Sequence, residues 1–501
     1  MTDPVAPVDD RADVLPTAGS TPWDLLVIGG GTAGIVAAKT AAGFGASVLL
    51  VERDRTGGEC LWTGCVPSKA LLAAAAVAAD ARRAAEFGVQ VDGVRVDFAA
   101  VMGHVKAAIA AIEPHDSTET LTAAGVRVSR GTARFTQPDR VDIDGRPVRF
   151  RQAVIATGSE PLLPPVTGLA DADPLTSDSV WELPALPARL VVLGGASIGC
   201  ELGQAFARLG SQVSVIEAAP RLLPREDPDV AAAISASLGR DGVAVITGAT
   251  VTAVHRTSGA DGTGEVHLAG GQRIGFDRLL IAVGRRPRSY DLGLDAAGVE
   301  VDERSYVRVD RMLRSTNRRI WAAGDVTGHP QFTHTAGVHA SLAASNAVLG
   351  LRRRVELTAL PRGIYTQPEA AAVGLSLADA DRHGLTVRTV SHQDVDRAVT
   401  DGRTGGFTRL VLDGKGRVLG ATVVGPRAGE TLAELVLAVR RGLRARDLAG
   451  TIPAYPTYGS GAWDAAIADV RARLHAPGAG RAIVTLAAVR RRWMVLRDRL
   501  G

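Results

Sequence analysis

Asp24-Leu25-Leu26-Val27-Ile28-Gly29-Gly30-Gly31-Thr32-Ala33-Gly34 opens the first readable unit of the chain, and Leu190-Val191-Val192-Leu193-Gly194-Gly195-Ala196-Ser197-Ile198-Gly199 repeats its plan. In each, an apolar strand runs into a glycine-rich turn and a helix follows. A second strand (Ser47–Val51, then Gln212–Ile216) closes on an acidic residue, Glu52 or Glu217, 23 positions after the first glycine of its turn. The glycines Gly29, Gly31 and Gly34, and Gly194, Gly195 and Gly199, let the backbone turn tightly and approach a pyrophosphate. The helix N-terminus presents free N–H groups and about half a positive charge to it. The carboxylate accepts hydrogen bonds from a ribose. One such run is weak evidence; two in register predict two dinucleotide sites. Ala196 stands where the second copy's middle glycine is usual, and its methyl group is expected to loosen the pyrophosphate approach slightly. Glu217 favours NADH over NADPH because a carboxylate repels a 2′-phosphate, an effect that Arg221 would offset in part.

Working outward, Gln152–Gly158 and Leu279–Gly284 are short apolar strands ending in glycine on either side of the second unit. They read as crossings between domains, and Ile320–Ala323 is a further buried strand ending in a Gly324-Asp325 turn. From about Ala359 the pattern changes to the strands Thr408–Leu412 and Val418–Val424 and an apolar helix near 430–442, an α+β arrangement. A Pro/Gly break at His475–Gly480 precedes a last helix-like stretch, 481–499. The expected fold class is α/β, with two Rossmann-like dinucleotide-binding domains and an α+β C-terminal domain.

Composition narrows the function. Residues 471–501 hold eight arginines against one aspartate, a net of +7, so the formal +4 of the 501 residues leaves −3 for everything before them. A body of that charge offers no nucleic-acid-like field. Three cysteines in so long a chain argue against a secreted disulfide scaffold. The first 22 residues are polar and acidic and read as a disordered leader rather than a cleavable signal. No uncharged apolar run reaches the ~18–20 residues of a membrane span. The expected setting is cytoplasmic.

The chemistry concentrates in Gly57-Gly58-Glu59-Cys60-Leu61-Trp62-Thr63-Gly64-Cys65-Val66-Pro67-Ser68-Lys69. Four residues between two cysteines are about one helical turn, so both thiols are expected on one face, able to form a disulfide. A zinc site needs a second pair of ligands; the remaining cysteine, Cys200, has no histidine nearby and reads as a small packed residue, so no metal site is assigned. This run resembles the redox segment of the glutathione reductase, dihydrolipoamide dehydrogenase and mercuric reductase family, and the resemblance extends from about Asp24 to Asp464. It implies a FAD-binding domain at 23–158 and 285–350, a NAD(P)-binding domain at 159–284, a homodimerisation domain at 355–470 and a basic tail at 471–501. Gly425, Ala428, Gly429 and Glu430 fit the turn of that dimerisation module. It further implies that Cys65 faces the flavin and Cys60 meets the acceptor. Lys69 would lie near the flavin and pair with Glu201, Glu52 would bind the adenosine ribose, and Asp325 the ribityl chain. Gly58, Thr157, Gly158 and Gly284 would line the cofactor sites. A surface ion pair for Lys69 and Glu201, and a plain turn role for Asp325, are the blander alternatives. A helix N-terminus at Cys65 would favour its thiolate.

The likeness breaks near the end. The family's disulfide reductases carry His before Pro-Thr and Glu five residues after it, supplied by the partner subunit. Here Tyr455 and Ser460 occupy those positions. Tyrosine, with a pKa about 3.5 units above histidine, is a poor base at neutral pH, and losing a general base costs about 10²–10⁴ in rate. Mercuric reductases also lack this histidine, but carry a C-terminal cysteine pair; no cysteine follows Cys200 here. Three acceptor readings stay open: a disulfide, a quinone reached without the cysteines with Tyr455 and Tyr458 lining the site, and a metal ion. A non-catalytic, redox-responsive flavoprotein is the fourth. His334 and His339 read as capping or packing residues. The arginines around Trp493 suggest a basic amphipathic helix, expected to be solvated and packed on the body rather than bound to a membrane.

Overall fold

The computed structural model describes residues 21–256 and 263–500; the leader expected at 1–22 lies almost wholly outside them. The chain divides into two compact units. One takes the chain up to Leu222 together with Leu238–Val355, and the other takes Leu223–Ser237 together with the chain from Glu356 onward.

Within the first unit, strand Trp23–Ile28 lies between the parallel strands Val48–Glu52 and Arg146–Ile155, with Leu25 opposite both Val48 and Gln152. Ile320–Ala322 adds to Arg146–Ile155, also parallel. The strand sequence Leu25-Leu26-Val27-Ile28 is continuously apolar because both faces are covered: Leu25 and Val27 enter one core, Leu26 and Ile28 the other. On the first face, helix Thr32–Gly43 packs on helix Thr333–Leu349 through Ala33, Ala37 and Ala41 against Ala336, Ala340 and Ala343. Small side chains permit that close approach. A second parallel sheet orders Ala244–Thr247, Gln212–Glu217, Arg189–Leu193, Arg278–Ile281 and Leu175–Thr176. The crossings themselves are two short strands, Ser159–Pro161 and Arg285–Pro287, paired antiparallel just beyond Gly158 and Gly284.

In the second unit, the antiparallel sheet Pro361–Ile364, Glu369–Gly374, Val418–Gly425, Phe407–Leu412, Thr386–Ser391 is covered by helices Ala428–Arg441 and Ser460–Leu474. Leu223–Ser237 is tied to this unit by Arg409–Asp227 at 3.4 Å and Arg362–Glu226 at 2.9 Å. That attachment is invisible in the sequence, where the segment continues the second nucleotide unit.

Two expectations are corrected, one on the redox cysteines and one on the last helix. The two redox cysteines do not share one helix: Cys60 lies in helix Gly58–Trp62 and Cys65 begins helix Cys65–Arg83, separated by a turn in which Gly64 and Thr63 donate their N–H to the Glu59 carbonyl. The run Gly58–Phe87 is, by length and composition, apolar enough to cross a membrane. The turn inside it, its contacts with helices Phe98–Ile112 and Ser197–Leu209, and the Lys69–Glu201 pair make it an element of the α/β fold instead. Finally, the helix Pro477–Leu500 starts before the expected break is over, and it does not pack on the body. Leu486, Val489, Trp493 and Leu496 all stand exposed.

Candidate active site

The two nucleotide turns are near-copies at atomic scale. Gly29 and Gly194 share φ +105°. Gly31 (φ −81°, ψ −172°) and Ala196 (φ −81°, ψ −171°) share the residue position just before the helix. A Cβ on Gly34 would sit 1.7 Å from the Gly29 carbonyl oxygen, and one on Gly199 would sit 1.9 Å from that of Gly194. These glycines hold helix against turn. Ala196 is tolerated because its φ is one that any residue adopts.

The acidic residues play a structural part that sequence reasoning missed. Gly30 N–H donates to Glu52 Oε2 at 2.5 Å and Asp54 N–H to Oε1 at 2.8 Å. Glu217 repeats this with Gly195 N–H at 2.7 Å and Ala219 N–H at 2.8 Å. Each carboxylate thus braces its turn from the end of the neighbouring strand.

A cavity of about 360 Å³ runs along the first turn. Gly29, Gly31, Glu52, Gly58, Thr157 and Gly158 line it, so the structure brings together residues spread from 29 to 158. Gly58 has to be glycine because a Cβ there would meet the Gly31 Cα at 2.5 Å, where the redox segment crosses the nucleotide turn. Asp325 lies close by and accepts a hydrogen bond from Ser159 Oγ at 2.6 Å. The buried polar atoms Gln331 Nε2 and Thr335 Oγ1 have no partner among the described residues, at the start of the helix whose Thr333 touches Cys65. An open cradle beside a helix N-terminus, with unpartnered polar atoms near the cysteines, fits a flavin dinucleotide.

At the redox segment, Cys60 and Cys65 are hydrogen-bonded thiol to thiol, and Cys65 Sγ lies 3.3 Å from Thr333 Oγ1. The pair is polarised. The hydrogen bond from Cys60, helped by Thr333 and by the Lys69 charge, brings the Cys65 pKa down to about 6, whereas the same bond and burial push Cys60 up. Lys69 Nζ pairs with Glu201 Oε2 at 2.9 Å, Glu201 being buried and Lys69 partly exposed. Cys200 is buried, its Sγ directed at the Gly195 carbonyl at 3.4 Å, and burial raises its pKa. It is a packed residue, as expected.

A charged knot beside the cysteines was not legible in the sequence. Arg285, one residue past Gly284 and nearly buried, binds Glu59 at 2.5 Å, Ser159 Oγ at 2.8 Å and Ser177 Oγ at 3.1 Å, with Asp178 at 3.9 Å. Burial raises Glu59 to about 7 against the opposing pull of Arg285. The knot joins the interdomain crossing to the helix that carries Cys60. His339 packs against His329 with ring centroids 5.0 Å apart, and burial lowers it to about 4, which favours a neutral packing role. Tyr455, in the second unit, is exposed and donates to Asp396 Oδ2 at 2.5 Å, while Tyr458 donates to Asp401 at 2.9 Å. Asp396 lies 59 positions from Tyr455, and no spacing rule would have paired them.

The sequence pattern of the family described as pyridine nucleotide-disulphide oxidoreductase matches residues 23–340, and that of its dimerisation domain matches 360–466. The chain belongs to this family. The mercuric reductase of Streptomyces lividans is 38% identical over 450 residues, covering 87% of this chain and 94% of its own. The dihydrolipoyl dehydrogenase of Chlamydia muridarum is 33% identical over 465 residues, covering 91% and 98%. Among solved structures, LpdA from Mycobacterium tuberculosis superposes with a TM-score of 0.81 at 28% identity, covering 88% of this chain and 98% of its own. The Cu(II) complex of the HOCl-induced flavoprotein disulfide reductase RclA from Escherichia coli gives 0.81 at 27%, covering 89% and 99%. The protein is therefore an NAD(P)H-dependent flavin disulfide oxidoreductase of mixed α/β fold that uses FAD, and its dimerisation domain supports a homodimer.

Proposed function

We propose that this enzyme oxidises NADH and passes the electrons through Cys60 and Cys65 to a small-molecule acceptor bearing a reducible disulfide. The observation that carries the reading is the placement of Cys60 and Cys65 on two successive helices, the first of which begins at Gly58, where it crosses the first nucleotide turn at Gly31, with Lys69 and Glu201 paired beside them. Bound FAD would supply the two-electron relay between nicotinamide and cysteines, held by Gly29–Gly34, Glu52, Gly58, Thr157, Gly158, Lys69 and Asp325. Gly194, Gly195, Gly199, Glu217 and Gly284 hold the nicotinamide dinucleotide, Glu217 setting the preference for NADH. In the reduced state the Cys65 thiolate takes the Cys60 proton as Cys60 attacks an acceptor S–S bond: one S–S bond forms, one breaks, and the expelled thiolate recovers that proton from Cys65 and leaves as a thiol. Cys65 thiolate then attacks Cys60, reforms the internal disulfide and expels the second thiolate. Lys69, salt-bridged to Glu201, stabilises the Cys65 charge.

The same reading keeps the division into FAD-binding segments 23–158 and 285–350, a NAD(P)-binding segment 159–284 and an interface segment 355–470. It sets the enzyme in the cytoplasm, where reduced nicotinamide is available.

A second reading, quinone or metal-ion reduction, draws support from Tyr455. Its hydrogen bond to Asp396 raises the phenol pKa, so it serves as a fixed dipole at an acceptor site rather than as the missing base. Anaerobic NADH oxidation with disulfides, quinones, Hg(II) and Cu(II), using wild type and Cys60→Ser, separates the two. Loss of disulfide turnover in the variant supports the thiol route. Quinone turnover that dominates and survives the substitution overturns it.

A further inference from the structure

The helix Pro477–Leu500 has no part in the redox reading and lies beyond the dimerisation-domain match, which ends at residue 466. Leu486, Val489, Trp493 and Leu496 recur at spacings of three and four, which places them on one strip of the helix. All four are about half or more exposed, from 49% at Trp493 to 68% at Leu486. Ile483, Val484, Met494 and Val495 add further exposed apolar surface. Arginines border the strip on both sides: Arg490 and Arg497 on one, Arg492 on the other. The Arg490 and Arg497 guanidiniums lie 4.4 and 5.6 Å from the Trp493 ring. Between 477 and 500 the chain has six arginines and one aspartate.

We infer that this helix is a surface anchor that lies on an anionic phospholipid membrane, its Leu486–Leu496 strip in the acyl boundary and its arginines among the headgroups. A second copy of the helix is the obvious rival occupant. The 3–4 spacing makes the strip a heptad seam, but it sets Arg490, Arg492 and Arg497 at the flanking positions. Pairing two such helices, in either direction, would place arginine opposite arginine, where like charges repel. An anionic headgroup plane satisfies both requirements of the helix at once. It gives the arginines a counter-charge, and it gives the strip an apolar layer. Tryptophan flanked by cations is the pairing that such an interface favours. The segment 471–501 carries +7 and the rest of the chain −3, so attraction to a negative surface is concentrated at this helix.

The test uses the full-length FAD-loaded protein and sedimentation with vesicles of phosphatidylcholine alone or mixed with phosphatidylglycerol. Wild type is expected to partition at least about tenfold more strongly to the mixed vesicles, with binding lost as NaCl is raised. Arg490→Gln with Arg497→Gln should weaken partitioning by about 25-fold, each arginine near an anionic surface being worth about fivefold. Trp493→Ser with Leu496→Ser should abolish it. Turnover of NADH with the acceptor should be unchanged in both variants, which shows that the body is folded. Equal partitioning to both vesicle types, no partitioning of wild type, or a seam variant that changes the oligomeric state by light scattering without changing lipid binding would each overturn the inference.

Discussion

Thr333→Val isolates one cause of the Cys65 thiolate. In the structure Thr333 Oγ1 sits 3.3 Å from Cys65 Sγ, and its hydroxyl stabilises the charged form of a thiol held at about 6. A hydrogen bond to a charged group contributes about 1.5–3 kcal/mol. This one is solvent-accessible, so the lower end applies, and about 1.4 kcal/mol corresponds to one pKa unit. Removing a donor to the thiolate raises the pKa, so the midpoint should move from about 6 to about 7. At pH 6.5 the thiolate fraction then falls from about three quarters to about one quarter, roughly a threefold slowing of alkylation. The assay is site-resolved mass spectrometry of iodoacetamide labelling across pH on the reduced FAD-loaded protein. Cys60, pushed up by its hydrogen bond with Cys65 and by burial, should label far more slowly and serves as the internal reference. Thr333→Ser should restore the wild-type midpoint. An unchanged midpoint in Thr333→Val, or a Ser variant that behaves like Val, would show that the Thr333 hydroxyl does not hold the Cys65 thiolate.

Other expectations follow from the same geometry. Gly31→Ala keeps an allowed φ and its Cβ meets nothing closer than 3.6 Å, so the apoprotein should melt as wild type does while FAD affinity drops at least about tenfold, read by flavin fluorescence titration. Gly34→Ala, with a Cβ 1.7 Å from a carbonyl oxygen, should instead fail to give soluble folded protein. Arg285→Met removes a nearly buried cation from Glu59, Ser159 and Ser177 and should cost about 3–5 kcal/mol in urea unfolding; a loss below about 1 kcal/mol would show the knot to be ornamental. Glu59 has its pKa raised from 4.5 to about 7, so its protonated form is the one the fold prefers. Stability tied to it is present below about pH 4.5 and lost as pH rises through about 7, a slope that Glu59→Gln should flatten in apoprotein melting curves.

The two nucleotide turns, the acidic residues that end their second strands and the cysteine pair are all legible in the amino-acid sequence alone. Each of these is a local matter: glycine where a helix closes on a carbonyl, apolar strands where both faces are covered, and two thiols a few residues apart. The family followed from that pattern, and so did the absence of a histidine base at Tyr455. The rest depends on distant segments of the chain meeting in space. Asp396 reaches Tyr455 from 59 residues away, and Thr333 reaches Cys65 from 268. Arg285 gathers Glu59, Ser159 and Ser177, and Leu223–Ser237 joins the second unit rather than the nucleotide unit it continues. Even the cysteines needed the structure, because four intervening residues fit one helical turn, yet the Thr63–Gly64 break places the thiols on two helices. Periodicity reports what a residue's own backbone requires. The pairing of charges and the pKa of a thiol are set by neighbours that the chain brings in from far along its length.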